Sequence, residues 1–390
     1  MASRPQPAAP GWRRESYRAP FALGAALAIF AVLPFVSRGE GGGALGLFHP
    51  LAQVEGFLSC FLVGFLFTFV PRWTQTPAPA AWEMAGALAL PTACVVSAWA
   101  GHGALAHGLW LGLAAVLLQF TIRRVRAARA RPPLPAVLVW VPLALLSGAS
   151  GALLSALAPR LAATSAPGAW IIGRGLLAQG FVAGLVLGVG GILVPQLTRG
   201  EGIPDVRDRA RLRHTAVLHA LAALVFFGSF PVEVLVDARL GMTLRALVAT
   251  GVLVLAAGIH RAPTLPGVHR QLVWIAAWLV PLGFWLAALA PRLRTAALHV
   301  VFVGGFTQLT LALAAHVVLS GGGRAQPLEE SAWRARAVAA LIALAFGARL
   351  LAAIDRSRIP FWLAVAGAAF VAAILAWAAL VRPAHQGVGR

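Results

Sequence analysis

Apolar residues along this chain form twelve long runs that are separated by short polar segments. A helix needs about 20 apolar residues to cross the hydrocarbon core of a bilayer, and these runs are close to that length or longer. The pattern therefore predicts twelve transmembrane helices. We place them at residues 20–37, 49–70, 80–100, 103–121, 134–157, 168–195, 212–236, 240–259, 270–289, 295–319, 332–354 and 359–381.

The composition excludes a soluble domain of this size. Of the 390 residues, 59% are hydrophobic and only 11% are charged, whereas soluble domains carry about 25% charged residues. No loop is long enough to hold a separate domain. We therefore predict an all-α, polytopic transmembrane helix bundle over residues 20–381, with tails at 1–19 and 382–390.

The basic residues are distributed unevenly between the two sides of the predicted membrane domain. The formal net charge is +20, and all 32 basic residues are arginine. If both termini are cytoplasmic, most of them fall on the cytoplasmic side, notably in the segments 122–133 and 196–211. Cytoplasmic loops carry this excess in membrane proteins. The charge thus indicates membrane orientation and not a nucleic-acid partner.

A short internal similarity links the second and sixth predicted helices. They end in the segments 70–74 (VPRWT) and 194–198 (VPQLT), which begin 124 residues apart. A further step of about this length reaches the end of the tenth helix. Because internal repeats set the architecture of a fold, this similarity predicts three units of four helices. The alternative is a chance similarity between apolar segments.

Several ionisable side chains lie inside the predicted helices. Each costs about 2.5–3.5 kcal/mol on insertion scales, so each is a functional candidate by default. The predicted topology places most of them at one level, in the outer half of the membrane. They are His49, Glu55, Arg174, Glu233, Arg245, His299 and Arg349.

Two interpretations of this charged level remain open. In the structural interpretation, Glu55 pairs with Arg174 or Arg349, and the other arginines extend to the lipid headgroups. In the functional interpretation, a cavity open to the periplasm holds a cofactor. A haem fits, because its iron takes axial imidazoles, here from His49 and His299, and its propionates pair with guanidinium groups.

Two further histidines and both cysteines are weaker candidates. We predict His102 and His107 in the outer loop between the third and fourth helices. They could reach a metal near His49, but a solvated loop is the preferred interpretation. Cys60 and Cys94 lie inside apolar runs, and we interpret them as small buried side chains.

Three short motifs resemble one family of membrane proteins. The second helix reads HPLAQVEGF from His49 and GFLFTFVPRWT from Gly64, and the tenth reads HVVFVGG from His299. The sixth contains GVGG from Gly188 and ends in Val-Pro. These motifs resemble the NnrS family, in which the second helix usually starts His-Ala-His-Glu-Met.

The resemblance implies a function as well as a fold. NnrS proteins are bacterial inner-membrane proteins, typically with twelve spans, that are associated with nitric oxide and denitrification and described as containing haem and copper. The resemblance implies a haem-binding protein of the nitric oxide response, embedded in the bilayer. The arginine distribution predicts that both termini are cytoplasmic. Nitric oxide or another small diatomic molecule would be its ligand.

The chain departs from the family pattern at the second helix. The first family histidine matches His49, but the second falls on Leu51, and the family glutamate falls on Ala52 with Glu55 one turn further on. The two predicted haem ligands, His49 and His299, are present, whereas a copper site that needs the second histidine lacks that ligand. The predicted cofactor-binding residues are His49, Glu55, Arg174, Arg245, His299 and Arg349, with the two histidines as metal ligands.

Two other classes of function remain alternatives. A transporter of a small molecule or metal has its site near the midplane, often at broken helices, and Pro34, Pro142 and Pro281 would supply breaks. The outer position of the embedded charges counts against it. A structural or assembly protein would lack a cofactor. The sequence does not indicate whether the protein is an enzyme.

Overall fold

The computed structural model describes residues 15–38, 44–128, 134–163, 167–202, 208–321 and 332–385. This part contains helices but no strand, and twelve helices are long and apolar enough to cross a membrane, which confirms the predicted all-α bundle. The predicted tails lie largely outside the described residues. The spans are α1 Arg18–Val36, α2 Phe48–Thr74, α3 Ala81–Trp99, α4 Gly103–Ala127, α5 Ala136–Arg160, α6 Gly168–Arg199, α7 Arg209–Leu235, α8 Ala238–Leu255, α9 Val268–Leu289, α10 Pro291–Ser320, α11 Ala332–Ile354 and α12 Arg356–Arg382.

Two helices extend about one turn beyond their predicted ends. We expected α2 and α6 to end beside their prolines, Pro71 and Pro195, but both helices continue through them. A proline removes one backbone donor, and neighbouring groups in a helix bundle compensate for that loss. Each helix ends instead where the next residue adopts a left-handed conformation, at Gln75 (φ 53°) and Gly200 (φ 70°).

The twelve helices form a closed ring of three four-helix units. Within each unit successive helices pack together, and the units join where α4 meets α5, α8 meets α9 and α12 meets α1. The second helix of each unit lies at the centre: 72% of the apolar window of α2 is buried and 67% of those of α6 and α10, against 22% for α7. The centre of the bundle is therefore built from α2, α6 and α10.

Each central helix contains one wide, π-helical segment at the equivalent position. These segments are Ala52–Leu58 in α2, Leu176–Phe181 in α6 and Val300–Thr307 in α10. They begin at residues 52, 176 and 300, at successive intervals of 124 residues. The interval confirms the predicted repeat. Because π-helical turns are rare and are frequently found at functional sites, they direct attention to this level of the bundle.

Hydroxyl groups close the wide turns in the first and third units. Ser59 Oγ donates to the carbonyl oxygen of Val54 at 2.9 Å, and Thr307 Oγ1 donates to that of Phe302 at 3.0 Å. Both bonds reach back five residues, to carbonyls displaced by the widened helix. The Val54 carbonyl also accepts from the backbone N–H of Ser59, so there the hydroxyl adds a second hydrogen bond across the wide turn.

Candidate functional site

A cavity of about 1480 Å³ lies beside the three π-helical segments. It is larger than the roughly 300–1,000 Å³ of ordinary small-molecule pockets. Side chains from all three units line it, among them four of the six predicted site residues: His49, Arg174, His299 and Arg349. Helices far apart in the sequence therefore bring these residues to one space, whereas Glu55 and Arg245 do not line it.

The two cavity histidines are fixed in the same way. Nδ1 of His49 lies 3.1 Å from the carbonyl oxygen of Ala31, and Nδ1 of His299 lies 2.7 Å from that of Thr295. A carbonyl oxygen only accepts hydrogen bonds, so each Nδ1 is the donor. In a neutral ring, Nε2 then keeps its lone pair. Metal-binding histidines typically show this arrangement.

Arginine side chains give the cavity two positively charged regions. Arg349 lines the same cavity as His49 and His299. On another wall, the guanidinium of Arg174 lies 4.8 Å from the ring centre of Trp170. Within the described part of the chain, neither arginine pairs with a carboxylate. Both are therefore available to an anionic group in the cavity.

Arg245 is separated from the cavity by its own buried network. Its Nε donates to Ser229 Oγ and one terminal nitrogen to Gln179 Oε1, both at 2.8 Å. Its remaining N–H groups meet Met242 Sδ, the carbonyl oxygen of Ser229 and the carboxylate of Glu233. Every donor of this fully buried guanidinium is thus used inside the protein. These contacts leave Arg245 no role as a propionate partner.

Glu55 also has partners that differ from the expected ones. Its Oε2 accepts from Cys94 Sγ at 3.1 Å, and its Oε1 lies 2.5 Å from His107 Nδ1. The structural interpretation that paired Glu55 with Arg174 or Arg349 is therefore wrong. The partners were missed because neither the sequence spacing nor the predicted depth reveals which faces of α2, α3 and α4 meet.

His107 does not lie in the outer loop between α3 and α4. Helix α4 begins at Gly103, so His107 lies within the helix, faces α2 and lines the cavity. The prediction of a solvated loop is wrong for His107 but agrees with the exposed position of His102, next to the helix start. The useful signal was the buried carboxylate of Glu55, which needs a polar partner from a neighbouring helix.

The donor set does not fit a separate copper site. Leu51 lies on the cavity wall at the position of the second family histidine. The described ranges contain no group of three or more His, Cys, Asp or Glu side chains that could hold a metal ion. We therefore derive no step through copper.

Comparisons with known proteins agree with the motifs. A search of curated proteins found no match. The family model described as NnrS protein matches residues 12–386, nearly the whole chain, including all twelve spans. The chain therefore belongs to the NnrS family.

Proposed function

We propose that this protein binds haem in the cavity, where Nε2 of His49 and Nε2 of His299 would hold the iron. One observation carries the proposal: both histidines line the same cavity, and each is held through Nδ1 by a backbone carbonyl. The hydrogen bond fixes the tautomer and the ring orientation, which leaves the second nitrogen for iron. The cavity volume of about 1480 Å³ is sufficient for a macrocycle.

The surrounding residues suit the remaining parts of a haem. Arg349, which lines the cavity with both histidines, would pair with a propionate, and Arg174 offers a second guanidinium in the same cavity. Such charge-assisted pairs are favourable where water is excluded. Apolar side chains such as Leu298, Phe302 and Phe370 also line the cavity and would limit the access of water to the macrocycle.

When bound, the haem would supply a redox-active iron that binds small diatomic molecules such as nitric oxide. Membership of the family supports a role in the nitric oxide response or denitrification. The arginine distribution supports an inner-membrane location with both termini cytoplasmic. The alternatives, a transporter or a cofactor-free assembly protein, do not require two histidines with fixed tautomers in one cavity.

The absorption spectrum of the detergent-purified protein tests the cofactor proposal. We expect a Soret band and sharp bands after reduction with dithionite, both lost in His49→Ala and in His299→Ala. His214→Ala is the matched control, because His214 is exposed on α7 and does not line the cavity. A colourless wild-type protein from haem-replete cells would contradict the proposal and favour the alternatives.

Arg349→Met tests the proposed propionate partner. Hydrogen bonds to charged groups contribute about 1.5–3 kcal/mol, so we expect haem to bind about 10- to 100-fold more weakly. The measurement is a haem titration of the haem-depleted protein. Arg336→Met, an exposed position on the same helix, is the control and should leave the affinity unchanged. Equal affinities of wild type and Arg349→Met would exclude this role.

A further inference from the structure

Three glutamate side chains in the described residues are almost completely buried, and their partners differ in kind. Glu83 is 1% exposed and accepts from both terminal nitrogens of Arg124, at 3.1 and 2.9 Å. Glu233 is 8% exposed and pairs with Arg245 and Arg294. A guanidinium does not release its proton in a protein, so both glutamates belong to permanent ion pairs.

Glu55 is the exception among these three. Its side chain is 0% exposed, and its two oxygens contact the His107 imidazole at 2.5 Å and the Cys94 thiol at 3.1 Å. Carboxyl, imidazole and thiol groups all gain and lose protons within the range of pH that proteins encounter. Neither of these two partners of Glu55 is therefore a permanent cation, in contrast to the arginines beside Glu83 and Glu233.

Glu55 and His107 differ in their access to the cavity. Glu55 does not line the cavity, whereas His107 does, so the imidazole stands between the buried carboxylate and the cavity. The titratable groups around Glu55 come from three helices, and α1 meets this part of α2 with apolar side chains such as Leu27. These groups are Cys94 on α3, His107 on α4 with His102 at its start, and Cys60 and His49 on α2.

We propose that Glu55 and His107 form a proton-exchange site that serves the cavity. In the uptake direction, water or a bound group in the cavity gives a proton to Nε2 of His107. The proton on Nδ1 then moves to Oε1 of Glu55, which becomes a neutral carboxylic acid. The pair gains one proton in total and its net charge changes from −1 to zero. Release reverses these two movements and delivers one proton to the cavity.

Charged groups in the cavity influence whether the Glu55–His107 pair holds the additional proton. An uncompensated charge is costly in a low-dielectric interior, so a buried carboxylate needs a partner or a proton. The guanidinium groups of Arg174 and Arg349 line the same cavity and attract negative charge. A bound anion would offset these positive charges. The site is thus suited to hold a proton and to release it to a ligand with a basic atom.

Infrared spectroscopy over a pH series tests the proposal with or without haem. We expect a carboxylic-acid C=O band that disappears as the pH rises and is lost in Glu55→Gln. Glu83→Gln is the matched control and should keep the band, because Glu83 forms an ion pair with both terminal nitrogens of Arg124. Absence of any such band at every pH at which the protein stays folded would overturn the proposal.

Two milder variants keep the test decisive if Glu55→Gln fails to fold. In Cys94→Ala the band should move to higher frequency, because the thiol hydrogen bond to the carboxyl oxygen is lost. In His107→Leu the shift of the band in D₂O should be slower, because the route from the cavity is removed. An unshifted band in Cys94→Ala, or unchanged exchange in His107→Leu, would contradict the assignment or the route. Since the band is measured in haem-free protein too, failure of haem binding would be a separate result.

Discussion

Replacing Arg245 with methionine is expected to lower the free energy of unfolding by about 3–5 kcal/mol, because it removes one partner of a buried ion pair. The variant leaves Glu233 with Arg294 alone and removes the donors to Gln179 and Ser229. Methionine fills a similar space, so the loss would come mainly from unpaired polar groups and not from a cavity. Denaturant unfolding of the purified protein in detergent measures the change.

The matched control for this experiment is Arg239→Met, an exposed position at the start of the same helix. It should change stability by less than about 0.5 kcal/mol, as surface substitutions usually do. The double variant with Glu233→Gln should recover part of the loss, because the buried negative charge is removed as well. If Arg245→Met unfolded like wild type but lost haem, Arg245 would be a cofactor partner and not a structural residue.

Gly151→Ala is expected to destabilise the protein by about 1–3 kcal/mol or more, the usual cost of overpacking. A Cβ at this position would lie 2.6 Å from both the carbonyl oxygen of Gly173 and the backbone nitrogen of Leu177. Both atoms belong to the backbone of α6, so a side-chain rotation cannot relieve the contact. The helices α5 and α6 would have to separate.

This separation should also disturb the cavity, because Gly173 precedes Arg174 and Leu177 lies in the π-helical segment of α6. Thermal unfolding and haem retention measure the two effects. Gly251→Ala is the control, since no atom lies within 4 Å of a Cβ built there. It should be neutral or stabilising by up to about 1 kcal/mol, because alanine favours a helix more than glycine. If Gly151→Ala melted at the wild-type temperature, the contact between α5 and α6 would tolerate the added methyl group.

The sequence alone determined the number of helices and their order, and it indicated a threefold repeat that the structure then supported. Every span must supply enough apolar residues to cross the hydrocarbon core, so each of the twelve is visible as a run of local composition. The repeat was visible because the segments 70–74 and 194–198 kept similar residues at the same place in two units. The sequence also identifies His49 and His299, because ionisable residues are rare in spans and their depth follows from the topology.

Only the tertiary structure decided which of these charged residues meet. Helices that are apolar on most faces do not reveal their rotation, and a shift of about 100° per residue moves a side chain from one neighbour to another. Arg245 therefore proved to pair with Glu233, and Glu55 with His107, although depth alone allowed other pairs. The sequence did not predict the π-helical segments either. Their glycines Gly56, Gly180 and Gly304 lie close to side chains of other helices, which are distant in the chain.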